Sequence, residues 1–203
     1  MQRDWQNWDK GRVAEIIEAY WQSNVNESAH REQLLSLVSC NLSTPRGRVL
    51  EVGCGTGLIY QRLVPTLLNN TDYVGVDVSD KMLDIARRNF PDGIFLRGDG
   101  YELSFADGAF DTVLCFEVLG HILHIEKFVS ELLRVANKNS IFTVWPSAAA
   151  DIIESYEYVD GIRFLHRQYA DSYIRRIICS ATPKRGNHIK AVELPTGVRA
   201  YIV

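Results

Sequence analysis

Apolar positions along the chain change their spacing at two points. Near the N-terminus Val13, Ile16, Ile17, Tyr20 and Trp21 recur every three to four residues, which predicts an amphipathic helix, and a second helix is expected over about 28–39. Ser43-Thr44-Pro45-Arg46-Gly47 marks the end of this N-terminal cap. From Arg48 onward short apolar runs alternate with helical stretches, and 49–52, 73–76, 94–96, 112–116 and 140–145 read as strands. The helices between them are expected from Gly57 to about Leu68, where Pro65 must bend or break the turn, from Ser79 or Asp80 to Asn89, and over 125–136. Short strands separated by helices argue for parallel βαβ units in a doubly wound sheet.

Beyond Pro146 the pattern loosens. A helix is expected over 169–178, and two strands, 188–194 and 198–203, flank Pro195-Thr196-Gly197. A parallel sheet that finishes on a hairpin predicts an α/β fold with seven strands, mostly parallel, and an antiparallel C-terminal strand. The 203 residues suit one domain. It divides into a helical cap over 1–46, a cofactor-binding core over 47–145, and a substrate-side segment with a C-terminal hairpin over 146–203.

A hydrophobic fraction of 46%, a charged fraction of 23% and a net charge of −3 make no case for nucleic acid or an anionic membrane as partner. Charge is uneven, however. From Gly161 to the end eight Lys or Arg stand against two acids, Asp171 and Glu193. This basic tail reads either as a solvated face or as a means of steering an anionic small-molecule substrate. Cys40, Cys54, Cys115 and Cys179 form no C-x-x-C pair, so reduced thiols are expected. No apolar run approaches the ~20 residues of a transmembrane helix, and the cytoplasm is the expected compartment. A monomer or homodimer is expected.

The chemistry concentrates in Glu51-Val52-Gly53-Cys54-Gly55-Thr56-Gly57, directly after a strand. Glycines there let the chain turn sharply and let a ligand lie against the backbone. The G-x-G-x-G spacing departs from the dinucleotide fingerprint, because Leu58 stands where its third glycine belongs, and the absence of Gly-Lys-Ser/Thr excludes a P-loop. Asp77 closes the second strand, next to Val78, and is placed to accept from both hydroxyls of a ribose. In Arg97-Gly98-Asp99-Gly100 a third acid can accept from an adenine amine, while Met82 offers an apolar face to the ring.

These residues, together with Phe110-Asp111-Thr112-Val113 running into Glu117-Val118-Leu119-Gly120-His121-Ile122, resemble the class I methyltransferases that depend on S-adenosylmethionine. The likeness is nearest to the broad small-molecule group that includes quinone-biosynthesis enzymes, and it spans roughly 48–145. It implies that the glycine loop holds the methionine end of S-adenosylmethionine, Asp77 the ribose and Asp99 the adenine. It also implies that Phe116, Glu117 and His121 line the methionine and substrate side, with S-adenosylhomocysteine as product. Gly120 departs from the pattern, since many relatives carry an acid before that histidine.

His121 is the candidate general base, should the acceptor need one. His121 and His124 lie three residues apart without a third ligand, so no metal site is expected. Tyr20 and Trp21 are candidates for a lid, and Tyr156, Arg163 and His166 for acceptor contacts, the latter on position alone. The nucleic-acid amine signature is missing after the fourth strand, and Glu126 reads as a first-turn helix acid rather than the partner of Glu117 that an arginine methyltransferase needs. An RNA- or protein-directed methyltransferase on the same fold and a non-catalytic cofactor-binding subunit are the alternatives. A nicotinamide oxidoreductase is disfavoured by the glycine spacing.

Overall fold

The structure is a computed structural model and describes residues 4–42, 47–69, 72–149, 152–182 and 188–203. The expected end of the cap, at Ser43 to Arg46, lies outside them. After a 3-10 turn over Asp4–Asp9 come α1 (Val13–Ser23) and α2 (Val25–Asn41). The alternating part holds β1 (Val49–Val52), α3 (Tyr60–Leu63), β2 (Tyr73–Asp77), α4 (Asp80–Asn89), β3 (Ile94–Arg97), β4 (Phe110–Cys115), α5 (Ile125–Val135) and β5 (Ala136–Pro146). A hairpin of β6 (Ile153–Val159) and β7 (Ile162–Tyr169), α6 (Asp171–Ala181), β8 (Lys190–Glu193) and β9 (Arg199–Ile202) complete the described chain.

β3, β2, β1, β4 and β5 pair side by side in parallel. β9 inserts antiparallel along β5, with Ile141 opposite Ile202, and β8 pairs antiparallel with β9. Seven strands with one running against the rest are the sheet expected from the sequence. All four residues of β1 are buried, as befits the centre of a sheet covered on both faces. On one face α5 and α6 bury Phe128, Leu132, Ile174 and Ile178 against Val113 and Tyr201. On the other, α2, α3 and α4 bury Leu34, Leu63 and Leu83 against Leu114 and Ile141.

Three expectations need correction. α3 is one turn rather than a helix reaching Leu68, because beyond Leu63 the chain passes through turns at Pro65, whose ring cannot continue a helical ladder. α2 starts earlier and ends later than 28–39, since the Asn24 side chain accepts from the amides of Asn26 and Glu27, a cap worth about 1 kcal/mol. The β6–β7 hairpin was not anticipated, and it extends the sheet beyond the end of β5, where Trp145 faces Gln168. Its turn is Asp160-Gly161, both at positive φ (51° and 72°), the backbone of a tight two-residue hairpin.

Candidate active site

β1 delivers the chain into the glycine loop, where the amides of Gly53 and Cys54 both donate to the carbonyl of Val76 at 2.7 and 3.1 Å. Gly53 has φ +80°, and a Cβ there would stand 2.2 Å from Cγ2 of Val118. Asp77, at the end of the neighbouring strand, locks onto the same loop. Its Oδ2 accepts from the amide of Gly55 at 2.8 Å and its Oδ1 from that of Ser79 at 2.9 Å. Burial pushes this carboxyl up while the amides pull it down. Ser79 caps α4 through its hydroxyl and also donates to Asp9, while Asp80 pairs with Arg97 at 2.8 Å.

Glu51 is 2% exposed and accepts from the Tyr73 hydroxyl; burial pushes its carboxyl up to about 8. Burial also pushes the Cys54 thiol well up, which leaves it a protonated, non-nucleophilic wall. Glu117 follows β4 at φ 57°, an uncommon conformation for a residue with a side chain, and its amide donates to the Thr143 hydroxyl at 2.8 Å.

These elements open on one cavity of about 750 Å³. Glu51 lines it from β1 and Gly53, Cys54 and Gly55 from the loop; Asp77, Val78 and Met82 line it from the end of β2 to α4. Gly98, Asp99, Gly100, Phe116 and Glu117 line it from the ends of β3 and β4. Thr56 and Gly57 do not. The Thr56 hydroxyl is buried and donates to Glu18 on α1, and a side chain at Gly57 would meet the Phe90 and Phe95 rings, so both serve the loop's packing.

His121 lines the opposite half of the cavity, between the rings of Trp8 and Trp145, each 5.4 Å away. Its Nδ1 is 2.7 Å from the Leu165 carbonyl. A carbonyl only accepts, so Nδ1 carries the proton and Nε2 keeps a lone pair. Burial lowers the pKa of the ring, which keeps it neutral near pH 7. The glycine before it also has a reason. A Cβ at Gly120 would lie 2.6 Å from the Trp145 ring, so here an indole occupies the space that an acidic side chain would need.

Of the acceptor candidates, Tyr20 and Trp21 line the cavity, with Trp21 lying over Gly55. Tyr156, Arg163 and His166 do not. Tyr156 is half exposed and the Arg163 guanidinium lies 4.5 Å over its ring, a pair outside the cavity. His166 sits behind Trp145, 4.7 Å from that ring and 3.4 Å from Glu157. His124 faces Tyr101 instead of the cavity, and Glu126 accepts from Tyr173 on the far side of α5. Part of the basic tail is paired locally, Arg167 with Glu154, Arg175 with Asp171 and Arg199 with Glu193, while Lys184 and Arg185 lie outside the described residues.

Several lining residues had not been singled out. Arg31 on α2 is 5% exposed, donates to the Trp21 carbonyl, pairs with Glu27 at 3.7 Å, and leaves its buried Nε without a partner among the described residues. His30, beside it, reaches Thr196 at 2.8 Å and stands 3.3 Å from Glu117. In sequence both look like polar positions of a weakly amphipathic helix, and only their burial distinguishes them. Trp5 and Trp8 also line the cavity.

A family model describing a methyltransferase domain matches residues 50–144. That stretch of the chain is similar to a methyltransferase domain. It runs from the second residue of β1 into β5, and so covers the glycine loop, Asp77, Asp99 and His121. The chain is 37% identical over 93 residues to a demethylmenaquinone methyltransferase of Renibacterium salmoninarum, covering 46% of this chain and 38% of that one. It is 33% identical over 120 residues to a phosphatidylethanolamine N-methyltransferase of Cereibacter sphaeroides, covering 56% and 55% respectively. The chain thus spans from about a third to about half of the curated relatives it matches. In fold, the chain is similar to magnesium protoporphyrin IX methyltransferase from Synechocystis with bound S-adenosylmethionine. That likeness has a TM-score of 0.70 at 20% identity and covers 100% of this chain and 97% of that one.

Proposed function

We propose that this protein transfers a methyl group from S-adenosylmethionine to a small-molecule acceptor. The observation that carries the reading is the single cavity joining the glycine loop, Asp77 and Asp99 at one end to a neutral His121 among aromatic rings at the other. The residues fit the cofactor. The loop leaves room where a Cβ would otherwise project, and both Asp77 oxygens retain a lone pair for a ribose hydroxyl after accepting their backbone amides. Asp99 and the buried face of Met82 suit an adenine, and the unpartnered Nε of Arg31 suits the carboxylate of a methionine moiety.

When bound, the cofactor supplies an activated methyl on a sulfonium, and S-adenosylhomocysteine is the product. The chain's part is placement and proton handling. The Trp8, Trp145 and Phe164 rings exclude water and hold an acceptor between His121 and the loop, which makes an intermolecular step effectively intramolecular. Nε2 of His121 takes the acceptor's proton, and the Leu165 carbonyl holds the tautomer that allows it.

Calorimetric titration with S-adenosylmethionine and with NADH, on the wild type and on Asp77→Ala, tests this. The expected result is micromolar binding of S-adenosylmethionine alone, weakened at least tenfold (about 1.4 kcal/mol) in the variant. A folded wild type that binds NADH and not S-adenosylmethionine overturns the reading.

A further inference from the structure

The acceptor half of the cavity has its own chemical character. The chain contains four tryptophans, Trp5, Trp8, Trp21 and Trp145, and all four line this one cavity. Around His121 the walls are Trp8, Trp145 and Phe164, with Tyr158 contributed by the end of β6. The charged side chains on this side are Glu157 and Asp160, and no Lys or Arg among the described residues lines it. Among the described residues the one guanidinium lining the cavity, that of Arg31, belongs to the glycine-loop side, tied to Trp21 and Glu27. The hairpin's own cations turn elsewhere, Arg163 onto Tyr156 and Arg167 onto Glu154 and the carbonyls of Ile122 and Leu123.

A carboxylate or phosphate entering here would shed its water and meet two acids, Glu157 shared with the His166 imidazole at 3.4 Å, with no lining Lys or Arg among the described residues to offset them. A cation meets the negative faces of indole rings and two carboxylates. We propose that the acceptor is an arylalkylamine, taken up as its ammonium form with the ring among the tryptophans and the nitrogen toward His121. This rests on the methyl-transfer reading above, and it replaces the anionic substrate that the basic tail had suggested. The ammonium proton passes to Nε2 of His121, and the freed lone pair forms the new N–CH3 bond. The electron pair of the breaking C–S bond stays on sulfur, and the imidazolium returns its proton to solvent.

Because all four indoles face the cavity, their fluorescence reports its occupancy without turnover. The chain, with and without S-adenosylhomocysteine, is titrated with 2-phenylethylamine, 2-phenylethanol and 3-phenylpropionate, which differ in charge on one scaffold. Indole emission is expected to respond to the amine at concentrations at least tenfold lower than to the alcohol or the acid. Glu157→Gln should shrink that preference severalfold and leave the alcohol unchanged. A carboxylate or alcohol that binds as tightly as the amine overturns the proposal, and so does silence toward all three. S-adenosylhomocysteine is titrated separately. Its failure to bind counts against the methyl-transfer reading, while the order of the three probes is still read on the cofactor-free chain.

Discussion

Glu51 lies in a strand whose every side chain is buried, and its carboxyl is pushed up to about 8 even though Tyr73 donates to it. Between its ordinary value near 4.5 and about 8 the folded chain holds a proton that the unfolded chain has released. Stability from this group is therefore full below pH 4.5 and declines as pH rises through about 8, by on the order of 1 kcal/mol per pH unit. Urea unfolding at pH 5 and pH 8 should show this decline in the wild type and a much flatter profile in Glu51→Gln. His121 works with the opposite sign. Burial lowers its pKa below 6.5, so a reaction that needs its Nε2 lone pair gains rate as pH rises through that lowered value and is level above it. His121→Asn should cost roughly 10²- to 10⁴-fold in kcat, the span of general-base catalysis, and remove the acidic limb of the rate profile. If the limb persists in the variant, another group takes the proton.

Elements differ in how openly the sequence announces them. β1, β2 and β4 are central strands, so burial on both faces forces the continuous apolar runs that mark them, and the glycine loop between β1 and α3 follows from spacing alone. Asp77 was legible because a strand end fixes where its side chain can point. The β6–β7 hairpin was not, since β6 is exposed along nearly its whole length and carries no apolar alternation. Its Asp160-Gly161 turn was the one signal available. Arg31 and His30 were hidden for a related reason, as a helix that packs under a cleft buries polar side chains which periodicity assigns to solvent. Gly120 shows how two elements constrain one another: the 3-10 turn over Leu119–His121 meets the end of β5 with no room for a side chain beside Trp145. Gly120→Asp should destabilise the fold by about 1–3 kcal/mol in denaturant unfolding, the usual cost of overpacking. Trp145→Ala in the same chain should return part of that loss. Independent, additive costs in this double-mutant cycle would show that the two residues do not compete for one space.

Across the whole molecule, residues 4–23 tie both halves of the cavity together. Toward the cofactor side, Asp9 accepts from Ser79 at 2.7 Å and from the amide of Lys81 at 3.1 Å, and Glu18 accepts from Thr56. Toward the acceptor side, Asn7 donates to the Arg163 carbonyl at 2.9 Å, the Arg12 amide donates to Asp160 at 3.1 Å, and Trp8 packs on Phe164 at 4.6 Å. Most of these links are polar and partly exposed, each worth about 1 kcal/mol or less, so the segment is held by many weak ties over a largely apolar hollow. A ligand that fills the hollow gives Ile16, Ile17 and Trp8 a surface to bury against, and binding energy then accrues to the docked position of the segment. Hydrogen exchange should therefore slow over 4–23 when S-adenosylhomocysteine is bound, slow further when an acceptor joins it, and remain unchanged in β1 and β4, which are already buried. Trp8→Ala should weaken the second increment and spare the first, since Trp8 borders His121 and Phe164 rather than the glycine loop. Equal protection of the segment in the free and doubly liganded chain would make it a fixed wall, with the acceptor entering past the β6–β7 turn instead.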